Sequence, residues 1–230
     1  MDQTPQRRDG TRAIYGSPVQ ESALATNKVL RNTYLLLSMT LLFSAATAGA
    51  SMVLNVPYFG PIVTLVGYFG LLFLTNKMRN SVGGIVCVFA LTGFMGLTLG
   101  PILSSYLVSV PNGGELIMTA LGSTGIIFLS LSAYAIRSEK DFSFMSGFLM
   151  VGMIGLLAVI VLGLFIDLSA FQMAISGGIV LLMGALILFQ TSAIIHGGET
   201  NYVMATVSLY VSLYNMFLHL LMLFGMGGDD

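Results

Sequence analysis

Long apolar runs alternate with short polar breaks along most of this chain. From residue 33 onward the runs approach the ~20 residues that a helix needs to cross a bilayer. The breaks between them carry Pro, Gly, Asn or charged residues, which are typical of turns. The pattern predicts an all-α membrane protein with seven transmembrane helices, at about 33–54, 58–76, 82–105, 115–136, 143–166, 171–195 and 203–225.

The first part of the chain has a different character. Residues 1–28 are polar, rich in turn-forming residues and without periodicity, so we predict a flexible tail there. No apolar core follows Met1, and we therefore expect no cleavable signal peptide. The predicted organisation is a tail over residues 1–28 and a seven-helix transmembrane domain over residues 29–228.

The composition agrees with a protein whose solvent is membrane lipid. Hydrophobic residues make up 56% of the chain and charged residues only 8%, against about 25% charged residues in a typical soluble domain. Cys87 is the only cysteine, which excludes an intramolecular disulfide and a site of several thiolates. The spacings HxxxH, HExxH and CxxC and a phosphate-binding loop are absent. Basic residues interleaved with aromatic ones, as in nucleic-acid interfaces, are absent too. We expect no metal, no cofactor and no nucleic-acid partner.

The positions of the basic residues predict an orientation. With seven spans and the N-terminus inside the cell, every one of the nine Lys and Arg residues falls on the cytoplasmic side, as the positive-inside rule requires. An error of one span would scatter them over both sides. We therefore predict a cytoplasmic N-terminus and a periplasmic C-terminus. The nine residues are Arg7, Arg8, Arg12, Lys28, Arg31, Lys77, Arg79, Arg137 and Lys140.

A polar seam runs along the last predicted span. Ser208, Ser212, Asn215 and His219 recur every three or four residues, so they share one side of a helix. Gln190 lies at a similar depth in the preceding span. Polar side chains at such depths usually face protein or water and not lipid. They predict either hydrogen bonds between helices or the lining of a pore, and His219 is either a neutral hydrogen-bonded group or one that titrates.

One short motif raises a catalytic alternative. Intramembrane serine proteases pair a Ser in a Gly-rich turn with a His from another helix. Here GSTG, residues 122–125, lies in the fourth span, and His219 lies in the last. An intramembrane hydrolase would therefore use Ser123 or Thr124 with His219. The structural alternative is a tight helix contact in which the hydroxyls bond to backbone carbonyls of the same helix.

Several longer stretches resemble one known family. KVLRNTYLLLS (28–38), FALTGFMGLTLGPIL (89–103), KDFSFMSGFL (140–149), IIHGGETNY (194–202) and ATVSLYVSLYNMF (205–217) are similar to the Bax inhibitor-1 family. The resemblance covers about nine-tenths of the chain. It implies a seven-helix fold in which the last helix runs through the middle of the other six, and a location in the inner membrane.

The resemblance implies two kinds of function. Some members of the family are calcium leak channels in which paired aspartates on the sixth and seventh helices share a proton. A basic residue at the cytoplasmic end of the second helix interacts with this pair. By motif position the two aspartates correspond to Gln190 and Ser212, and the basic residue corresponds to Lys77 or a near neighbour. Because Gln and Ser do not titrate, we expect the pH-sensitive latch to be missing here.

The second implied function belongs to a proteobacterial branch of the family, whose members bind and restrain the membrane-anchored AAA protease FtsH. A polar tail would suit that role, because an unfolding protease needs an unstructured segment to engage, and the tail carries Arg7, Arg8 and Arg12. We therefore expect a non-enzymatic inner-membrane protein that modulates FtsH. The alternative is a cation leak lined by Gln190, Ser212, Asn215 and His219, with Lys77 near its cytoplasmic gate.

Overall fold

The computed structural model describes residues 18–138 and 140–227. Within this part of the chain, seven helices are long and apolar enough to cross a membrane, which confirms the predicted number of spans. Short 3₁₀ turns, Ser143–Met145 and Ser169–Phe171, lead into the fifth and sixth helices. The seven helices are α1 Pro18–Val53, α2 Gly60–Met78, α3 Val82–Ser109, α4 Gly113–Ser138, α5 Ser146–Gly163, α6 Gln172–Ile195 and α7 Tyr202–Met226.

The start of α1 differs from the sequence-based boundary. The helix begins at Pro18 and so extends into the segment predicted to be a flexible tail. Proline is favoured in the first turn of a helix, and the residues that follow it, VQESALA, include several good helix formers. Residues 1–17 lie outside the described part of the chain, and the tail assignment stays a prediction for them.

The last helix lies in the interior of the bundle, as expected. α7 packs against α1, α3, α4 and α6. Half of its most apolar stretch, 50%, is buried inside the protein, and α3 is buried to the same extent. The residues on which these helices meet include Leu91, Met183, Leu209 and Met216, all nearly inaccessible.

Two helices, α2 and α5, lie at the periphery of the bundle and do not pack extensively against α7. α2 packs mainly against α3, and α5 packs mainly against α6. Only 6% of the apolar stretch of either helix is buried. No contact of comparable extent joins α2 to α5 in the described residues, so the bundle is open between them.

Small residues allow α1 and α3 to approach closely. A Cβ atom on Gly96 would collide with the backbone carbonyl oxygen of Ser44, and one on Gly100 would collide with Ser51. The Ser51 hydroxyl donates to the Leu97 carbonyl oxygen at 2.9 Å across this contact. Lipid supplies no hydrophobic drive for helix association, so close approach and such hydrogen bonds hold the pair together.

One end of the bundle is organised by side chains that tie three loops to α6 and α7. Asn201 caps α7 by accepting from the Val203 and Met204 amides, and its amide nitrogen donates to the Arg79 carbonyl oxygen in the α2–α3 loop. Ser192 of α6 accepts from the Phe142 amide at 3.0 Å and donates to the Lys140 carbonyl oxygen at 3.1 Å. We call this the basic end, because the described basic residues lie in the segments that meet there: Lys28, Arg31, Lys77, Arg79, Arg137 and Lys140.

Candidate functional site

The predicted polar seam faces α6. The Ser212 hydroxyl lies 3.4 Å from the Gln190 side-chain oxygen, and it also lies 3.1 Å from the Ser208 carbonyl oxygen one turn earlier. A hydroxyl has one hydrogen, so Ser212 divides it between these two acceptors. The two positions that correspond to the paired aspartates of leak-type relatives are therefore neighbours in this fold.

The rest of the seam makes different contacts. The Asn215 amide nitrogen donates to the Val211 carbonyl oxygen at 2.8 Å within α7. His219 reaches α6, where its Nδ1 lies 3.1 Å from the Ser176 hydroxyl. The seam thus joins α7 to α6 at two depths, through Ser212 and through His219.

A groove of about 700 Å³ lies along this seam, between α2 and α5. Its floor is the seam face of α7 together with Met183, Leu186 and Gln190 of α6. Its walls come from α2 and from Met153 and Leu156 of α5. We call it the α2–α5 groove. The α7 residues in its floor are Met204, Val207, Ser208, Val211, Ser212 and Asn215, and the α2 residues in its wall are Tyr68, Phe69, Leu72, Phe73 and Asn76.

A second, more polar cavity opens at the basic end. It has a volume of about 490 Å³ and is lined by polar residues that include Asp141, His196 and Glu199. Leu186, Gln190 and Ser208 line both this cavity and the α2–α5 groove. Gln190 therefore stands where a polar cavity at the end of the bundle meets a groove at membrane depth.

Asp141, which lines the second cavity, has a local structural role. The Ser143 amide donates to Asp141 at 2.8 Å at the start of a 3₁₀ turn. Hydrogen bonds from the backbone and the side chain of Ser143 lower the pKa of Asp141. Asp167 makes the same contact with the Ser169 amide at the other end of the bundle, and its pKa is lowered for the same reason. Both loops thus use an Asp-x-Ser turn to begin the next helix. In the described residues, no group of three or more His, Cys, Asp or Glu side chains could hold a metal ion.

The remaining predicted site residues lie elsewhere. Lys77 is exposed in the last turn of α2, and its neighbour Asn76 is the residue that lines the α2–α5 groove. The described structure records no contact between Lys77 and Gln190 or Ser212. Arg7, Arg8 and Arg12 lie outside the described residues.

The catalytic alternative requires a contact between His219 and Ser123 or Thr124, and the described structure contains no such contact. Thr124 is buried and donates to the Ala120 carbonyl oxygen at 2.7 Å, as a hydroxyl bonded within its own helix does. His219 pairs with Ser176, which is fully buried, and not with Ser123 or Thr124. Gly122 and Gly125 have open space where a Cβ would stand, so these glycines make no close helix contact. The back-bonded hydroxyl of the structural alternative is confirmed at Thr124.

The α2 wall of the groove was not among the sequence-based predictions. Tyr68, Leu72 and Asn76 recur every four residues and so mark one side of α2. That stripe could be read from the sequence, because it places the polar groups of Tyr68 and Asn76 on one side of a largely apolar helix. What the sequence does not contain is the position of α2 relative to α7.

These features define a multi-pass helical membrane protein with an interior last helix and an uncharged pair of residues at its α6–α7 contact. The chain belongs to the Bax inhibitor-1 family: residues 26–229 match the family model described as inhibitor of apoptosis-promoting Bax1. This confirms the resemblance seen in the sequence.

Bacterial relatives cover almost the whole chain. An Escherichia coli K12 protein, the modulator of FtsH protease YccA, is 51% identical over 219 residues, which is 95% of this chain and 99% of that protein. A relative in Escherichia coli O6:H1, equally similar, is named inner membrane protein YccA. An uncharacterised Pseudomonas aeruginosa protein is 55% identical over 88% of this chain and 91% of its own length. The chain is accordingly a multi-pass protein of the inner membrane.

Proposed function

We propose that this protein binds the FtsH protease in the inner membrane and restrains it. The observation that carries the proposal is the 51% identity to the Escherichia coli modulator of FtsH protease, which extends over 95% of this chain. Identity of this extent covers all seven helices and the loops that join them. The relative is named as a modulator of a protease and not as a protease, which supports a non-enzymatic role here.

The fold limits how such a restraint can work. Almost all described residues lie in membrane-spanning helices or short loops, so contact with the protease must come from a helix face, from the loops at one end or from the segment before α1. We further propose that the basic end faces the cytoplasm, because basic residues are retained on that side of the membrane. Residues 1–17, with Arg7, Arg8 and Arg12, would then offer the protease a cytoplasmic segment to engage.

The test is reconstitution with the protease. FtsH in liposomes should degrade a membrane substrate more slowly when this protein is present, and the two should co-purify from native membranes in mild detergent. Deleting residues 2–16, which leaves α1 complete, should weaken both effects if the tail is engaged. Unchanged substrate degradation at equal membrane densities of the two proteins would refute the proposed function.

A second candidate function is a cation leak beside α7. The observation in its favour is that the polar cavity at the basic end and the α2–α5 groove share Gln190 and Ser208, which gives a polar route part of the way into the membrane. Against it stands the absence of a carboxylate at positions 190 and 212, since Gln190 and Ser212 offer a divalent cation no compensating charge. Calcium flux into liposomes that contain only this protein would favour the leak.

A further inference from the structure

The α2–α5 groove runs along one side of α7, as the binding site of one more helix would. On α7 its lining residues run from Met204 to Asn215 in two adjacent rows of every fourth residue, 204–208–212 and 207–211–215, which together form one continuous stripe of a helix. At a rise of 1.5 Å per residue the stripe is about 16 Å long. α2 contributes a second stripe, from Tyr68 to Asn76. Paired stripes of this kind line the contact between packed helices.

The walls of the groove are held apart. α2 is fixed to α3 and α5 to α6, and the two walls make no substantial contact with each other among the described residues. Aromatic residues stand at the rim, where Phe69 is 50% and Phe73 70% exposed. The groove therefore opens sideways into the membrane, where another transmembrane segment can enter.

Two amide groups at the bottom of the groove have hydrogen-bonding atoms left over. Gln190 uses its side-chain oxygen to accept from Ser212, and its amide nitrogen has no partner in the described part of the chain. Asn215 uses its amide nitrogen within α7, and its side-chain oxygen has no partner there. If either amide were turned round, an unpaired atom would still remain. One donor and one acceptor therefore line the same groove at membrane depth.

An acyl chain fills such a groove poorly, because it offers the two amides neither donors nor acceptors. Asn215 does not line the polar cavity at the basic end, so an acyl chain would leave its side-chain oxygen unsatisfied in a medium without water. A transmembrane helix with an amide or hydroxyl side chain satisfies them, and side chains of these types bond helices to one another in membranes. We propose that the α2–α5 groove receives one transmembrane helix of the FtsH membrane anchor, and that Gln190 and Asn215 hydrogen-bond to a polar side chain on that helix.

This inference rests on the proposed function, since it names the surface through which the protease is bound. It also explains why neutral amides suit the α2–α5 groove. An amide pairs with an uncharged polar side chain at little cost, whereas a carboxylate would need a proton or a cation.

Site-specific photocrosslinking tests the location directly. A benzophenone side chain replaces Phe73 at the rim of the groove or, as a control, Phe43 of α1, which is 41% exposed and does not line the groove. After irradiation of native membranes, we expect a crosslink to the protease from position 73 and none from position 43. Crosslinks from position 73 to lipid alone would overturn the proposal.

Substitutions in the groove test its chemistry. Ser208→Leu fills the floor, and Ser130→Leu makes the same change on an exposed face of α4. We expect Ser208→Leu to reduce co-purification of the protease and Ser130→Leu to leave it unchanged. The double variant Gln190→Leu with Asn215→Leu should reduce co-purification about three- to tenfold, the effect expected from losing interhelical hydrogen bonds. Wild-type co-purification by both groove variants would overturn the proposal.

The experiments separate the two ideas. If the wild-type protein neither co-purifies with the protease nor slows it, the proposed function fails. If it does both, while position 73 yields no protease crosslink, the protease is bound elsewhere and only the groove assignment fails. The crosslink does not depend on the leucine variants, so it decides the matter even if one of them does not fold.

Discussion

The Ser44 hydroxyl oxygen lies 2.6 Å from the Tyr210 hydroxyl oxygen, in a contact between α1 and α7 that is buried on all sides. Tyr210 also lies 3.3 Å from the Thr92 carbonyl oxygen of α3. A carbonyl can only accept, so Tyr210 donates to Thr92 and accepts from Ser44. One phenol thus joins three helices in the interior of the bundle.

Removing this phenol should weaken the bundle measurably. We expect Tyr210→Phe to lower the free energy of unfolding by about 1–2 kcal/mol, because it breaks two hydrogen bonds and leaves the Ser44 hydroxyl unpaired. Unfolding of the purified protein in mixed micelles with increasing SDS measures the change. Tyr134→Phe is the matched control, since Tyr134 is 48% exposed and should change stability by a few tenths of that amount at most. Equal effects of the two variants would contradict the assignment.

The close approach of α1 and α3 predicts a strong dependence on Gly96. Gly96→Ala places a methyl group against the Ser44 carbonyl oxygen, and overpacking of this kind costs about 1–3 kcal/mol. Gly177→Ala adds the same methyl group where nothing lies within 4 Å, and it should be neutral or stabilise α6. Thermal denaturation in detergent compares the two. A Gly96→Ala protein as stable as Gly177→Ala would show that the helices can move apart freely.

The hydrogen bonds that join Ser192 of α6 to the loop before α5 should slow amide hydrogen exchange in that loop. Ser192→Ala removes the acceptor of the Phe142 amide and the donor to the Lys140 carbonyl oxygen. We expect the Phe142 amide to exchange about tenfold faster, the effect of losing roughly one hydrogen bond. Ser105→Ala is the control, because that hydroxyl bonds only within its own helix. The 140–145 segment should be unaffected by it.

The neutral Gln190–Ser212 pair predicts an absence of pH control. We expect any calcium flux through liposomes of the wild-type protein to be the same at acidic and alkaline pH, because neither residue titrates. Gln190→Asp with Ser212→Asp places two carboxyl groups where they cannot both ionise readily, so pH-dependent flux should appear. Gln190→Asn with Ser212→Asn is the uncharged control. If the wild-type flux does depend on pH, His219→Ala identifies whether that histidine is responsible.

The orientation can be tested at the two ends of one helix. Ser81→Cys and Ser109→Cys, each combined with Cys87→Ala, place a single exposed thiol just before and at the end of α3. In intact cells with a permeable outer membrane, an impermeant maleimide should label position 109 and not position 81, because the basic end should face the cytoplasm. The reverse pattern would invert the proposed topology.

The sequence by itself determined the number of helices, their approximate limits and the family. These depend on local properties: an apolar run of sufficient length must become a helix in lipid, because only a helix satisfies its own backbone there. The seam on α7 was also local, since residues three and four apart share a helix face whatever surrounds them. Polarity alone did not predict the start of α1, where a polar segment with good helix formers continues the helix.

Only the tertiary structure decided what the seam faces. The sequence places Ser212 and Gln190 on different helices, and it cannot state that their side chains meet 3.4 Å apart or that His219 pairs with Ser176. Nor could it show that α2 and α5 stand apart, leaving the groove open. In lipid, apolar residues cover both packed and exposed helix faces, so hydrophobicity does not encode which helices touch. That information lies in the fit of small residues such as Gly96 against a neighbouring backbone, and such a fit becomes visible only when the helices are assembled.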